Sequence, residues 1–389
     1  MKRNRLGRRG GLPRDAEQLL WLANGLADSS SRAEDHFWDQ RLADAVDNLL
    51  RSEDEDALNT ALDHLSTASA HAYDELADMI ESRAEGALKS DAQHDVLLIA
   101  APVMAWSRYR IPAAPIAAAA MSNLRVQLKA HVLAKDVRLA LADFLFSPDQ
   151  LPQGYCATAD FATHLGKAAG TDTDLHIKTD NLPETAQFLS DTRYLLGAVM
   201  VPKGAPIFRW QEEDCTREQA QDQWRAQGGA CFAPLLTGCA FEVVLPNAYF
   251  AASREADKAS RPYSIQASVA FLSTTLDTPA TGLRAVVAPF FERQVEEYRI
   301  GFTLRAQNEV VHGVVWPLLG AEDESSETLA EIEATLRACG ITDLLVLDNE
   351  FPMEYCDDCG APMYPSPEGE AVHAELPEEQ AEQMPKHLH

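Results

Sequence analysis

No stretch of this 389-residue sequence approaches the roughly 20 apolar residues needed to span a bilayer. The most apolar run, 111–121 (IPAAPIAAAAM), is Ala-rich and interrupted by Pro112 and Pro115, which suits the start of a buried helix. Gly7, Gly10, Gly11 and Pro13 follow the first basic residues where a secretory signal would need a hydrophobic region, so the cytoplasm is the expected compartment. Phosphate-cradling and common hydrolase signatures are missing too: there is no GxxxxGK[ST], no GxGxxG after a strand, no GxSxG and no HExxH. Positive charge is scarce, with 33 Lys and Arg against 60 Asp and Glu and a formal charge of −27. A body of that charge repels polyanions, which excludes nucleic acid as a partner for most of the chain. The exception is the arm 1–14, where Lys2, Arg3, Arg5, Arg8, Arg9 and Arg14 meet no acid. That arm reads as a flexible basic tail without aromatic residues to stack on bases.

Cysteine is present in an odd number, seven, which argues against a disulfide framework. Cys156, Cys231, Cys239 and Cys339 lie in apolar surroundings and read as small core residues.

Residues 15–90 carry helical periodicity throughout. Leu19, Leu20, Leu22, Ala23 and Leu26 share one face, and Ser31 with Glu34 forms a capping-box pattern that opens a second helix. Asp54 or Asp56 starts a third helix with Leu58, Leu62 and Leu65 inward, and 70–88 makes a fourth, so short polar connections predict antiparallel helical hairpins.

The period changes at Asp95. Residues 96–101 (VLLIAA) form an apolar run of strand length, suited to a strand covered on both faces. From there, elements recur at a constant offset of 146 residues. Residues 96–101 align with 242–247, Ser107-Arg108 with Ser253-Arg254, the helix around 116–130 with 262–276, the strand 139–146 with 285–292, the helix 183–191 with 329–337, and the strand 195–201 with 341–347. A helix at 157–169 fills the middle of the first unit, and two strands meeting at Gln307-Asn308 fill the second. The expected fold is therefore mixed α+β: a helical segment followed by two related strand–helix–strand–insert–helix–strand lobes, 95–212 and 240–360. Each lobe is a split βαβ variant of the ferredoxin-like kind, with a doubly wound parallel sheet as the alternative. Residues 361–389 hold five prolines and six glutamates from Pro362 onward and few large apolar groups, so a mostly disordered acidic tail is expected.

Two features carry candidate chemistry. The first is Cys356-Asp357-Asp358-Cys359-Gly360: two thiolates at this spacing can clamp one metal ion, and the glycine permits the tight turn. Zinc takes four ligands, and the nearest further candidate is His373, then His387 and His389. Plain reduced thiols and a redox pair are the competing readings. The sequence after Gly360 should not be helical, and Asp357 and Asp358 should raise the thiol pKa, which speaks against the redox pair. The second feature is Ser107-Arg108 and Ser253-Arg254, expected just beyond a strand in each lobe, where an Arg is suited to hold a carboxylate or phosphate. His312, in the predicted strand 309–319, is a candidate base if a neighbouring strand brings Glu296 or Glu297 to it.

RYLLGAVMVPKGAPIFRWQE (193–212), VAPFFERQVEEYRIGF (287–302), HGVVWPLLGAEDE (312–324) and FPMEYCDDCGAPMYPSPEGEAVHAELPE (351–378) resemble a domain-of-unknown-function family of beta-proteobacteria. The resemblance covers nearly the whole chain and implies a bacterial cytoplasmic protein, with no activity, cofactor or site residue attached. Three functions follow as expectations. One is a non-catalytic binding or adaptor protein with a protein partner. Another is an enzyme or sensor holding a small anionic ligand between the lobes. The third is a nucleic-acid factor acting through residues 1–14.

Overall fold

The computed structural model describes residues 12–86, 93–320, 322–323 and 327–377. Four helices open the chain: α1 (Arg14–Ala27), α2 (Arg32–Ser52), α3 (Glu55–Ala68) and α4 (Ala70–Glu85). Ser31, Asp54 and Ser69 each accept a backbone N–H from the first turn of α2, α3 and α4, so Ser31 and Asp54, both expected from the sequence, are side-chain caps, and Ser69 is a third. Leu19, Leu22, Leu42, Val46, Leu58, Leu65, Leu76 and Ile80 close one apolar core between them. None of the described helices is long and apolar enough to cross a membrane.

The next elements are β1 (His94–Trp106), α5 (Ala118–His131), β2 (Arg138–Phe146), α6 (Gly154–Gly170), β3 (Ser190–Pro202), the short α7 (Arg217–Gln223), β4 (Ala240–Val243) and β5 (Asn247–Ala248). The first sheet has the order β2-β3-β1-β4, with every neighbour antiparallel. β1 and β2 are therefore parallel to each other with β3 between them, the split βαβ arrangement expected of the first lobe. β1 is covered on both faces as its apolar run predicts: Ile99, Ala101 and Val103 enter one core, Val96, Leu98 and Ala100 the other.

α8 (Tyr249–Thr275) then crosses between sheets. Its first turns, through Tyr249, Ala252 and Ala256, pack on the first sheet; beyond Pro262, Ile265, Val269, Phe271 and Leu272 pack on the second. Proline gives up one intrahelical hydrogen bond there, at the point where the helix changes partner. The second sheet comprises β6 (Leu283–Phe291), β7 (Val295–Leu304) and β8 (Val310–Pro317) as an antiparallel meander. After α9 (Thr328–Ala338), the strands β9 (Asp343–Val346) and β10 (Phe351–Pro352) return in parallel along β6.

Four expectations need correction. Residues 240–247 do not begin the second lobe; β4 and β5 pair with β1 and complete the first sheet. Although 139–146 and 285–291 both lie in strands, as the 146-residue offset predicts, β2 meets its late partner β3 antiparallel whereas β6 meets β9 parallel. The two sheets thus follow different paths: β6 pairs β7 antiparallel and β9 and β10 parallel. Residues 183–189 are not helical: Gln150 and Ser107 bond the carbonyls of Pro183 and Leu189, and Asp149 takes the N–H of Ala186, so this backbone runs extended into β3. Finally, residues 361–377 of the expected tail are ordered and end in β11 (Tyr364–Pro365) and β12 (Ala371–Val372). Residues 1–11 of the basic arm and 378–389 of the tail lie outside the described residues.

The bundle is fastened to the first sheet by carboxylates at helix N-termini, where unpaired N–H groups and the helix dipole favour them. Glu55 accepts from Tyr155 N and Cys156 N at 2.9 and 2.8 Å at the start of α6, and Glu85 accepts from Phe250 N at 3.2 Å at the start of α8.

Candidate metal centre

Beyond β10 the chain makes two successive reversals. In the first, Tyr355 bridges Pro362, Cys356 N donates to Ala361 O at 2.8 Å, and Gly360 N donates to Cys356 O at 2.8 Å. Gly360 has φ +73°, which the turn requires and a side chain would resist. The second reversal is the β11–β12 pair, closed by Ser366 N to Glu370 O at 2.8 Å, and His373 follows it directly.

Both hairpins are seated on the second sheet by residues far away in sequence. Gly301 of β7 and Gly313 of β8 face each other across the strands. A Cβ on Gly301 would meet the Pro365 carbonyl oxygen at 2.3 Å, and one on Gly313 the Tyr364 ring at 2.3 Å, so the paired glycines form the notch that admits β11. Arg299, fully buried on β7, donates to the carbonyls of Glu354 and Met363 at 2.6 and 2.8 Å, the two ends of the first reversal. Its guanidinium is neutralised by Glu297 at 2.5 Å and lies 4.2 and 5.0 Å from the Phe290 and Tyr355 ring centres.

This framework brings Cys356, Cys359 and His373 together. One donor atom from each lies within 4.8 Å of the others, and Cys359 Sγ is 3.2 Å from His373 Nε2. Donors about 2.0–2.3 Å from one zinc ion stand roughly 3.3–3.8 Å apart, so this spacing suits a shared ion. The other ring nitrogen, His373 Nδ1, is 3.4 Å from Glu375 Oε1. A carboxylate behind a ligating imidazole fixes its orientation and raises its basicity. Glu375 is itself anchored by its backbone N–H on Val310 O at 2.9 Å. The backbone N–H groups of Cys359 and Asp358 donate to the Cys356 sulfur and hold its thiol below the ordinary value. Backbone amides thus outweigh the charge of Asp358, reversing the sequence-based expectation that the flanking acids would raise it. The thiolate is the form that binds metal. Burial pushes the thiols of Cys231, Cys239 and Cys339 up, and burial reinforced by Glu55 pushes Cys156 up to about 12.

The second sequence-predicted site is dispersed. Ser107 Oγ donates to Gly238 O and accepts from Tyr109 N, both at 3.1 Å, which spends the hydroxyl on the turn after β1, and Arg108 follows in that turn. Ser253 and Arg254 are not in a loop but in α8, where Ser253 Oγ donates back to Tyr249 O at 2.9 Å. Arg254 reaches Glu81 of α4 at 2.5 Å and so fastens the bundle. His312 faces Phe302 across the strands rather than a glutamate; its Nε2 is 3.0 Å from Ser268 Oγ, and burial lowers it to about 4, leaving it neutral. The spacing of CxxCG and the proximity of His373 are visible in the sequence. Arg299, Glu375 and the Gly301–Gly313 notch are not, because each acts across a strand pairing or from the next turn.

A family model described as "Protein of unknown function (DUF2863)" matches residues 4–387, and the chain belongs to that family. No curated protein and no solved structure matches it.

Proposed function

We propose that this member of the family is a metal-dependent binding protein in which Cys356, Cys359 and His373 hold one zinc ion. The observation that carries the reading is the convergence of two sulfurs and an imidazole nitrogen from separate hairpins, with Glu375 behind the imidazole. Thiolate and imidazole are the donors zinc selects. Because the ligands come from both reversals, the ion ties them to each other and closes residues 354–373 against the second sheet. The seven free cysteines fit a reducing compartment, the cytoplasm.

Metal analysis of protein purified under reducing conditions tests this. About one zinc per chain is expected in the wild type, and a near-complete loss in Cys356→Ser and Cys359→Ser. A metal-free wild type, or variants that keep their metal, overturns the reading.

A further inference from the structure

Cys359 and His373 also line a cavity of about 500 Å³, a volume typical of small-molecule sites. The facing wall comes from β8, between Val311 and Val315, and from Ser264 and Ser268 of α8; residues 187–190, leading into β3, form the rim. Among the described residues, no Asp, Glu, Lys or Arg lines this space, in a chain with 60 acidic and 33 basic residues. A charged ligand body would lose its hydration there without gaining a partner. The serine hydroxyls are already paired, Ser190 with Ser264 at 3.2 Å and Ser268 with His312 at 3.0 Å. Phe188, at the rim, is 59% exposed, an apolar surface that a ligand would cover.

Resting on the zinc reading above, we infer that this cavity binds an uncharged, largely apolar nitrogen heterocycle whose ring nitrogen becomes the fourth ligand of the ion. Among the described residues only three side chains join the metal cluster, whereas zinc takes four donors. Two thiolates and an imidazole neutralise a divalent ion, so a neutral donor preserves charge balance where no cation is at hand to pair an anion. Nitrogen suits a borderline ion better than a neutral oxygen does. Binding displaces solvent and breaks no covalent bond.

The test uses full-length protein loaded with cobalt(II), whose visible bands report its coordination, titrated with imidazole, 4-phenylimidazole and acetate. Both heterocycles are expected to shift the bands, with the phenyl compound half-saturating at a concentration at least about tenfold lower, from the apolar area it buries. Phe188→Asp, at an exposed position, should reduce that advantage to about threefold or less and leave imidazole unchanged. Bands that move equally for both heterocycles, that respond best to acetate, or that do not move overturn the inference while the zinc reading stands. A chain that takes up no cobalt, with no thiolate-to-cobalt absorption, takes down both.

Discussion

In the N-terminal bundle, Leu19, Leu42, Leu58 and Leu76 are fully buried against one another, and caps at Ser31, Asp54 and Ser69 finish the helices. Across residues 351–377, by contrast, only Phe351, Pro365 and Ser366 are buried. The bundle draws its order from apolar area, which its own sequence supplies. The C-terminal hairpins draw theirs from Arg299, from a notch cut by two glycines and, on our reading, from an ion. The difference shows how a Pro- and Glu-rich segment that cannot close a core still takes a fixed path.

The strongest perturbation should come from Arg299→Met. It removes the guanidinium from the carbonyls of Glu354, which keeps the Met363 N–H, and Met363, and it leaves the carboxylate of Glu297 without its cation; breaking a buried pair in this way costs about 3–5 kcal/mol. Urea denaturation followed by hydrogen exchange should place the loss in residues 351–377 and spare the bundle. Next, Leu58→Ala should destabilise the bundle by about 2–5 kcal/mol through the cavity it leaves. Exchange at 354–373 should be unchanged; loss of protection there would mean that the two ends of the chain are not independently held.

A smaller effect belongs to the joint between the regions. Burial raises Glu85 from its ordinary 4.5 to about 7, so the folded protein keeps a proton there that the unfolded chain releases. Its contribution is fully present below pH 4.5 and is lost as pH rises toward and through 7, by on the order of 3 kcal/mol. Stability measured from pH 5.5 to 8 should fall more steeply in the wild type than in Glu85→Gln; parallel curves would show that Glu85 does not titrate in this range.

The same contrast explains what could be read from the sequence. The four helices and the two-faced β1 were visible because apolar spacing and caps are local signals. The first half of α8 was not, since the expected helix covers only 262–276, whereas Pro262 is an interior residue at a change of partner. The order of 361–377 was hidden because its determinants lie tens of residues away: Arg299 reaches Met363 across 64 positions. The matching of 242–247 to 96–101 misled for the opposite reason. An apolar strand pattern records burial, not the sheet in which the strand is buried. Cys356, Cys359 and His373 could be singled out by spacing and residue type, but only the fold brings the imidazole from a second hairpin onto the sulfurs.

Hydrogen exchange at residues 354–373, compared before and after removal of metal by a chelator under reducing conditions, tests the central claim most directly. Protection should collapse there and persist in the bundle and the first sheet. Protection unchanged by chelation, in a sample shown to have lost its metal, would contradict the claim that an ion closes the two hairpins.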